Sequence, residues 1–237
     1  MAEGLALDPT ISANLAAVRA RLARAASRAG RDPSSIRLVA VSKTHPIDAV
    51  LAAYRAGQSC FGENRVQEAL QKISQSSDTP IEWHLIGHLQ SNKARKAATA
   101  FACIHSIDSV DLLERIDVAA VEAGTRPTAF VQVDLAGEPT KHGATLEILL
   151  PIFEAAERCR AARVAGLMVL PPFADEPEDA RPYFRQLGEI RDELTVRGVP
   201  ASMVRELSMG MSHDFEVAIE EGATLIRVGT SIFGTRG

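Results

Sequence analysis

Lys43 ends an apolar run, Ile36-Arg37-Leu38-Val39-Ala40-Val41-Ser42-Lys43. The run reads as a short buried strand. A lysine at its C-terminal exit faces whatever binds at that end. Partial desolvation lowers the preference of an amine for its charged form, so such a lysine can act as a nucleophile and form a Schiff base with an aldehyde. A lysine snorkelling from a strand end would look the same in this segment alone.

Two other segments have the chemistry of a phosphate cradle. In Leu207-Ser208-Met209-Gly210-Met211-Ser212-His213-Asp214, a strand gives way to a helix, with Ser208 and Ser212 on either side of Gly210. Ser212 can cap the following helix, whose free N–H groups and dipole favour an anion. In Arg227-Val228-Gly229-Thr230-Ser231, Gly229 permits close backbone approach and Thr230 adds a hydroxyl. An aldehyde-trapping lysine with a phosphate cradle suggests pyridoxal 5′-phosphate, although a Schiff-base phosphosugar aldolase would carry the same two elements.

The elements that must position these groups alternate along the whole chain. A helix over Ile11–Ala29 precedes strands expected at 36–42, Ser59–Phe61, Glu82–Ile86, Cys103–Ile107, Thr128–Leu135, Val164–Leu170, Arg205–Met209 and Thr224–Val228. Helical segments are expected between them, near Ile47–Ala56, Val66–Ile73, Ser91–Ala100, Val110–Ala123, Leu146–Ala161, Ala180–Arg197 and His213–Glu221. Eight strands with intervening helices in 237 residues predict an α/β fold, one closed (β/α)8 TIM barrel over 1–237, with 1–35 as a helical region ahead of strand one. Barrel phosphate sites frequently follow strands seven and eight, where both candidate loops fall.

Side chains alternate between barrel interior and helix layer along each strand. Val39, Val41 and Lys43 share a face, as do Glu82, His84 and Ile86, Glu206 and Ser208, and Leu225, Arg227 and Gly229. If these faces point inward, Lys43, His84, Ser208 and Arg227 converge at the mouth. A core histidine or an Arg227–Glu206 ion pair would be the purely structural alternative.

Composition narrows the classes of function. Net charge is −4, which gives no polyanion-binding signature. The cluster Arg19, Arg21, Arg24 and Arg28 in the first helix reads as a solvated face. Cys60, Cys103 and Cys159 form no CxxC pair, in keeping with a reducing compartment. The start, MAEGLALDPT, lacks a basic n-region and an apolar h-region, and no apolar run is long enough for a bilayer. A cytoplasmic protein binding neither nucleic acid nor membrane is the expectation. No third ligand at a recognisable spacing joins His84 and His88, so no metal site is expected. His88 and His213 read as loop surface.

Five segments together resemble one family. They are Val41-Ser42-Lys43-Thr44, Phe61-Gly62-Glu63-Asn64-Arg65-Val66-Gln67-Glu68, the run from Trp83 to Lys93, Leu207-Ser208-Met209-Gly210-Met211-Ser212, and the run from Arg227 to Gly234. In this order they are similar to the pyridoxal phosphate homeostasis proteins, the YggS/PROSC-like group. The resemblance implies a barrel like the alanine racemase N-terminal domain with pyridoxal 5′-phosphate on Lys43 as an aldimine. It implies that Asn64 and His84 lie near the ring and that Ser208, Gly229 and Thr230 hold the phosphate. Arg227 would approach the ring nitrogen or the phosphate.

It also implies a carrier or buffer of the cofactor without robust turnover; a monomer that meets cofactor-requiring apo-enzymes transiently is the expectation. Racemases of the related fold draw a second acid/base from a C-terminal domain. This chain ends at Gly237, and Tyr54 and Tyr183 fall in expected helices away from the mouth. A small single-domain amino-acid racemase is the alternative.

Overall fold

The computed structural model describes residues 9–137 and 142–235. The start examined above for a leader, 1–8, and the last two residues lie outside the described residues. Eight parallel strands close into a barrel in sequence order: β1 Arg37–Val41, β2 Cys60–Glu63, β3 Glu82–Leu85, β4 Cys103–Ile107, β5 Thr128–Val133, β6 Arg163–Val169, β7 Glu206–Ser208 and β8 Leu225–Val228. Closure is made by β1 on β8, with Val39 opposite Arg227 and Ala40 opposite Val228. Closing the sheet removes its edges, so none of the described strands is left to pair with another chain.

The helices among the described residues are α1 Pro9–Arg28, α2 Ile47–Arg55, α3 Val66–Gln75, α4 Ala94–Ala100, α5 Val110–Ala123, α6 Leu146–Arg158, α7 Arg181–Val196, α8 Ala201–Val204, α9 Phe215–Glu220 and α10 Thr230–Phe233. None is long and apolar enough to cross a membrane. The expected eight strands and their closure are present. The short helices α8 and α10 were not anticipated, and some boundaries moved for identifiable reasons. α6 stops at Arg158 rather than Ala161 because the Asp117 carboxylate of α5 accepts the N–H groups of Arg160, Ala161 and Ala162 at 2.7–3.1 Å. α9 starts at Phe215 because Asp214 first takes the Met211 N–H at 2.6 Å.

Strand alternation separates two apolar regions. Leu38, Ala40, Phe61, Trp83, Leu85, Ile104, Leu207 and Ile226 pack outward into the core shared with the helices. Val39, Cys60, Cys103, Phe130, Met168 and Leu225 fill the barrel interior, with Leu170 against them. The basic face of α1 is largely exposed, as expected, with Arg19, Arg24 and Arg28 at the surface, but three of its arginines also make specific contacts. Arg19 donates to the carbonyl oxygens of Ala56 and Gly57, while Arg21 and Arg28 pair with Glu216 and Glu220 of α9. Sequence periodicity could not show this, because the partners are 37 to 195 residues away.

Candidate cofactor site

β7, β8, β1 and β2 are consecutive in the barrel, and the loops leaving them carry most of the expected site residues. Lys43 follows β1 in a turn closed by the His45 N–H donating to the Ser42 carbonyl at 3.1 Å. Thr44, at the third position of that turn, has φ +68°, the region a type II turn demands there and one that a β-branched residue adopts only at a cost. Lys43 itself is half-buried.

The loops after β7 and β8 are tied together. Ser212 accepts the N–H groups of Gly229 and Ser231 on its hydroxyl oxygen at 3.1 and 3.4 Å, and Ser231 donates back to the Ser212 carbonyl at 3.4 Å. Ser212 is therefore the clasp between the two loops. Gly229 lies against β1: a Cβ there would stand 3.1 Å from the Val41 carbonyl oxygen. That contact brings the β8 exit against the strand that delivers Lys43. Thr230 is exposed at the start of α10. Gly210 has φ +91°, and a Cβ would meet Ala218 Cβ at 2.6 Å, so glycine is required.

Asn64 is half-buried after β2 and touches the β3 exit so closely that a Cβ at Gly87 would fall 2.4 Å from its carbonyl oxygen. It opens onto a polar groove of about 570 Å³ lined also by Arg65, Gln67, Glu68, His88 and Lys93.

The remaining expected residues lie deeper. His84, Ser208 and Arg227 do meet, but inside the barrel, each nearly or wholly buried. Arg227 donates from Nη1 to Ser208 Oγ at 2.6 Å and from Nη2 to the Val169 carbonyl at 2.8 Å. The Arg227–Glu206 ion pair is not formed. Glu206 stands at the start of β7 and pairs with Arg205. Burial lowers the Arg227 pKa to about 10, which leaves the guanidinium charged at neutral pH.

His105 links these residues, with Nδ1 2.8 Å from Ser208 Oγ and Nε2 2.8 Å from His84 Nδ1. His84 Nε2 lies 3.0 Å from Glu82 and 3.3 Å from the Cys60 sulfur, and Glu82 takes Arg37 at the N-terminal end of the barrel. Sequence reasoning missed His105. Its signal was the i, i+2 spacing of Cys103 and His105, which puts both on the inner face before the register shifts near Ile107.

The proton positions in this chain follow from chemistry. A guanidinium only donates and a carboxylate only accepts. Burial pushes both imidazoles below the ordinary 6.5, His105 well below, so each is neutral. Glu82 requires a proton on His84 Nε2. His84 Nδ1 is then bare and accepts from His105 Nε2–H. His105 Nδ1 is bare in turn and accepts the Ser208 hydroxyl proton, while Ser208 accepts from Arg227. Every bond points from the mouth toward Glu82.

His84 and His88 do not form a pair. His84 groups with Cys103 and His105, and with Cys60 and Glu82, whereas His88 groups with Asp108 and His142 on the surface. His88 stacks on His142 with ring centroids 3.5 Å apart. His213 is exposed and bonded to the Asp175 carbonyl. Burial pushes the Cys60 and Cys103 thiols up, so both stay protonated.

Comparison with known proteins gives the family. A model of the alanine racemase N-terminal domain matches residues 13–237. The pyridoxal phosphate homeostasis protein of Aquifex aeolicus is 43% identical over 94% of this chain and 96% of its own length. The protein of that name from Pseudomonas aeruginosa is 42% identical over 96% of each. The chain belongs to the pyridoxal phosphate homeostasis protein family. Among solved structures, PipY of Synechococcus elongatus with pyridoxal phosphate bound has 41% identity and a TM-score of 0.84, covering 94% of this chain and 100% of PipY. A histidine racemase from Leuconostoc mesenteroides, at 16% identity and a TM-score of 0.69, shares the barrel fold.

The donor set of this family member fits the cofactor. An amine, a hydroxyl-bearing clasp, a backbone stretch kept bare by Gly229 and a half-buried amide stand on adjacent strand exits.

Proposed function

We propose that the chain binds pyridoxal 5′-phosphate at the C-terminal mouth of the barrel, covalently through Lys43, and serves cofactor homeostasis in the cytoplasm as one monomeric unit. The observation that carries this reading is the close approach of Gly229, in the loop after β8, to Val41, two residues before Lys43, in a chain 41% identical to a relative solved with the cofactor. Bound pyridoxal phosphate supplies an aldehyde for an amine and an electron-withdrawing ring.

Lys43 supplies the amine. Gly229 and Thr230 offer backbone and hydroxyl to the phosphate, with Gly210 and Ser212 holding the loop geometry. Arg227 adds positive charge below those loops, and Ser208 keeps the guanidinium in place. Asn64 borders the ring side. His84 acts from inside the barrel through His105 and Ser208.

Carriage rather than turnover is the role we assign. The relatives are named for homeostasis. Tyr54 and Tyr183, the chain's two tyrosines, sit on helices α2 and α7 and not on the strands. The holo-protein is incubated with an apo-transaminase and recovered transaminase activity is followed. Cofactor transfer is expected, together with amino-acid turnover orders of magnitude below the ~10 per second of ordinary enzymes. Robust racemisation that requires Lys43 would replace this reading with that of a racemase. Borohydride reduction should fix the cofactor on Lys43, and Lys43→Ala should abolish the visible band while leaving the fold intact.

A further inference from the structure

Both peptide units flanking Lys43 are tied to α3 by charged side chains, one of them a buried lysine. Lys72, a lysine of α3 only 6% exposed, donates to the Ser42 carbonyl at 2.8 Å. The same ammonium donates to Glu63 at 2.7 Å and Glu68 at 3.1 Å. The Ser42 hydroxyl donates to Glu63 at 2.7 Å. On the other side of Lys43, the Thr44 N–H donates to Glu68 on the oxygen that Lys72 also holds. One ammonium thus governs both ends of the turn.

This arrangement does not read as a device for stability. A buried ion pair seldom repays its desolvation, and apolar replacements are often neutral or better. Here burial raises the pKa of Glu63, and its second oxygen, Oε2, is buried without a hydrogen-bond partner. Such an orphan is costly and calls for an explanation. The network instead holds Thr44 in the left-handed region. Among the described residues Thr44 is the only non-glycine there. Strain of this kind persists where its surroundings over-determine it, and it clusters at functional sites.

We infer that Lys72, with Glu63 and Glu68, is the positioning residue for Lys43: it locks the strained Ser42–His45 turn so that the Lys43 amine is presented to the aldehyde of the cofactor. The inference rests on Lys43 being the attachment site. It predicts a rate effect on covalent capture that is separable from affinity for the rest of the ligand.

The test uses the apo-protein and Lys72→Met, which keeps length and removes charge. Capture of pyridoxal 5′-phosphate is followed by growth of the visible band and by the borohydride-fixed peptide in mass spectrometry. Affinity is measured with pyridoxine 5′-phosphate, which has an alcohol in place of the aldehyde. Capture by Lys72→Met should slow tenfold or more, while pyridoxine 5′-phosphate affinity stays within twofold. Lys72→Arg should restore part of the rate. If Lys72→Met does not fold, Glu68→Ala and Glu68→Gln decide, because Glu68 is partly exposed and only the glutamine keeps an acceptor for the Thr44 N–H. Slow capture in the alanine variant alone is the expected result. Wild-type capture in Lys72→Met, or in Glu68→Ala where that variant decides, overturns the inference, as does equal loss of capture and affinity. Wild-type capture in Lys43→Ala would instead overturn the attachment site itself.

Discussion

His84 and His105 meet nitrogen to nitrogen at 2.8 Å in the middle of the barrel, Nδ1 of one against Nε2 of the other. Only one proton can occupy that line, so His84 cannot charge without breaking the contact, and His105 cannot charge without displacing the hydroxyl proton that Ser208 donates to its Nδ1. The unfolded chain protonates each near the ordinary 6.5, but the folded chain binds those protons only at lower pH. The folded state therefore holds fewer protons in acid. Stability should be flat above about pH 7 and fall as pH drops below 6.5, by up to about 1.4 kcal/mol per unit for each histidine. Urea unfolding at a series of pH values checks this. His105→Asn should cost stability at neutral pH and flatten part of the acid slope; an unchanged slope contradicts the assignment.

Thr44→Gly should raise stability. It removes a left-handed cost of about 1–2 kcal/mol and adds a glycine entropy cost of about 0.5–1 kcal/mol. The net gain expected is a few tenths to 1 kcal/mol, read as an upward shift in the denaturation midpoint. A loss of stability would mean that the Thr44 side chain contributes more than its backbone costs.

Gly210→Ala and Gly229→Ala should separate folding from binding. At Gly210 the added methyl meets Phe215 Cα at 2.9 Å, as well as Ala218, at a positive φ. A loss of about 2–4 kcal/mol follows. Gly229 has φ −116° and its Cβ only crowds the Val41 carbonyl, so the fold should tolerate it within about 1 kcal/mol while the cofactor binds more weakly. Calorimetry and cofactor titration of both variants provide the comparison, and the reverse order of effects would remove Gly229 from the site.

Thr230→Val should weaken pyridoxal 5′-phosphate about tenfold to a hundredfold, since a charge-assisted hydrogen bond contributes about 1.5–3 kcal/mol. Pyridoxal, which lacks the phosphate, should bind almost as before. Equal losses for both ligands would place Thr230 elsewhere.

The barrel was readable because its signals are local. Apolar runs such as Ile36–Val41, bounded by polar turns, specify strands whatever surrounds them, and alternation correctly set Trp83 and Leu85 outward from His84. Lys43 and the two glycine loops were legible for the same reason. The supports were not. Lys72 looks like any helix-surface lysine, and only the fold carries it to Ser42, 30 residues earlier. His105 reaches Ser208 across 103 residues. The arginines of α1 are exposed as expected, but a helix face shows its charge and not the distant carboxylates and carbonyls it pairs with.

The filled axis of the barrel has a last consequence. Val39, Phe130, Met168, Leu225 and the two cysteines occupy the interior, and the Arg37–Glu82 pair stands at its far end. Among the described residues this packing leaves no passage along the axis. On the function proposed above, a cofactor seated at the mouth would leave by the way it came, so whatever delivered it and whatever collected it would compete for one doorway and visit in turn. The two encounters would follow substituted, double-displacement kinetics, in which an excess of either visitor blocks the other.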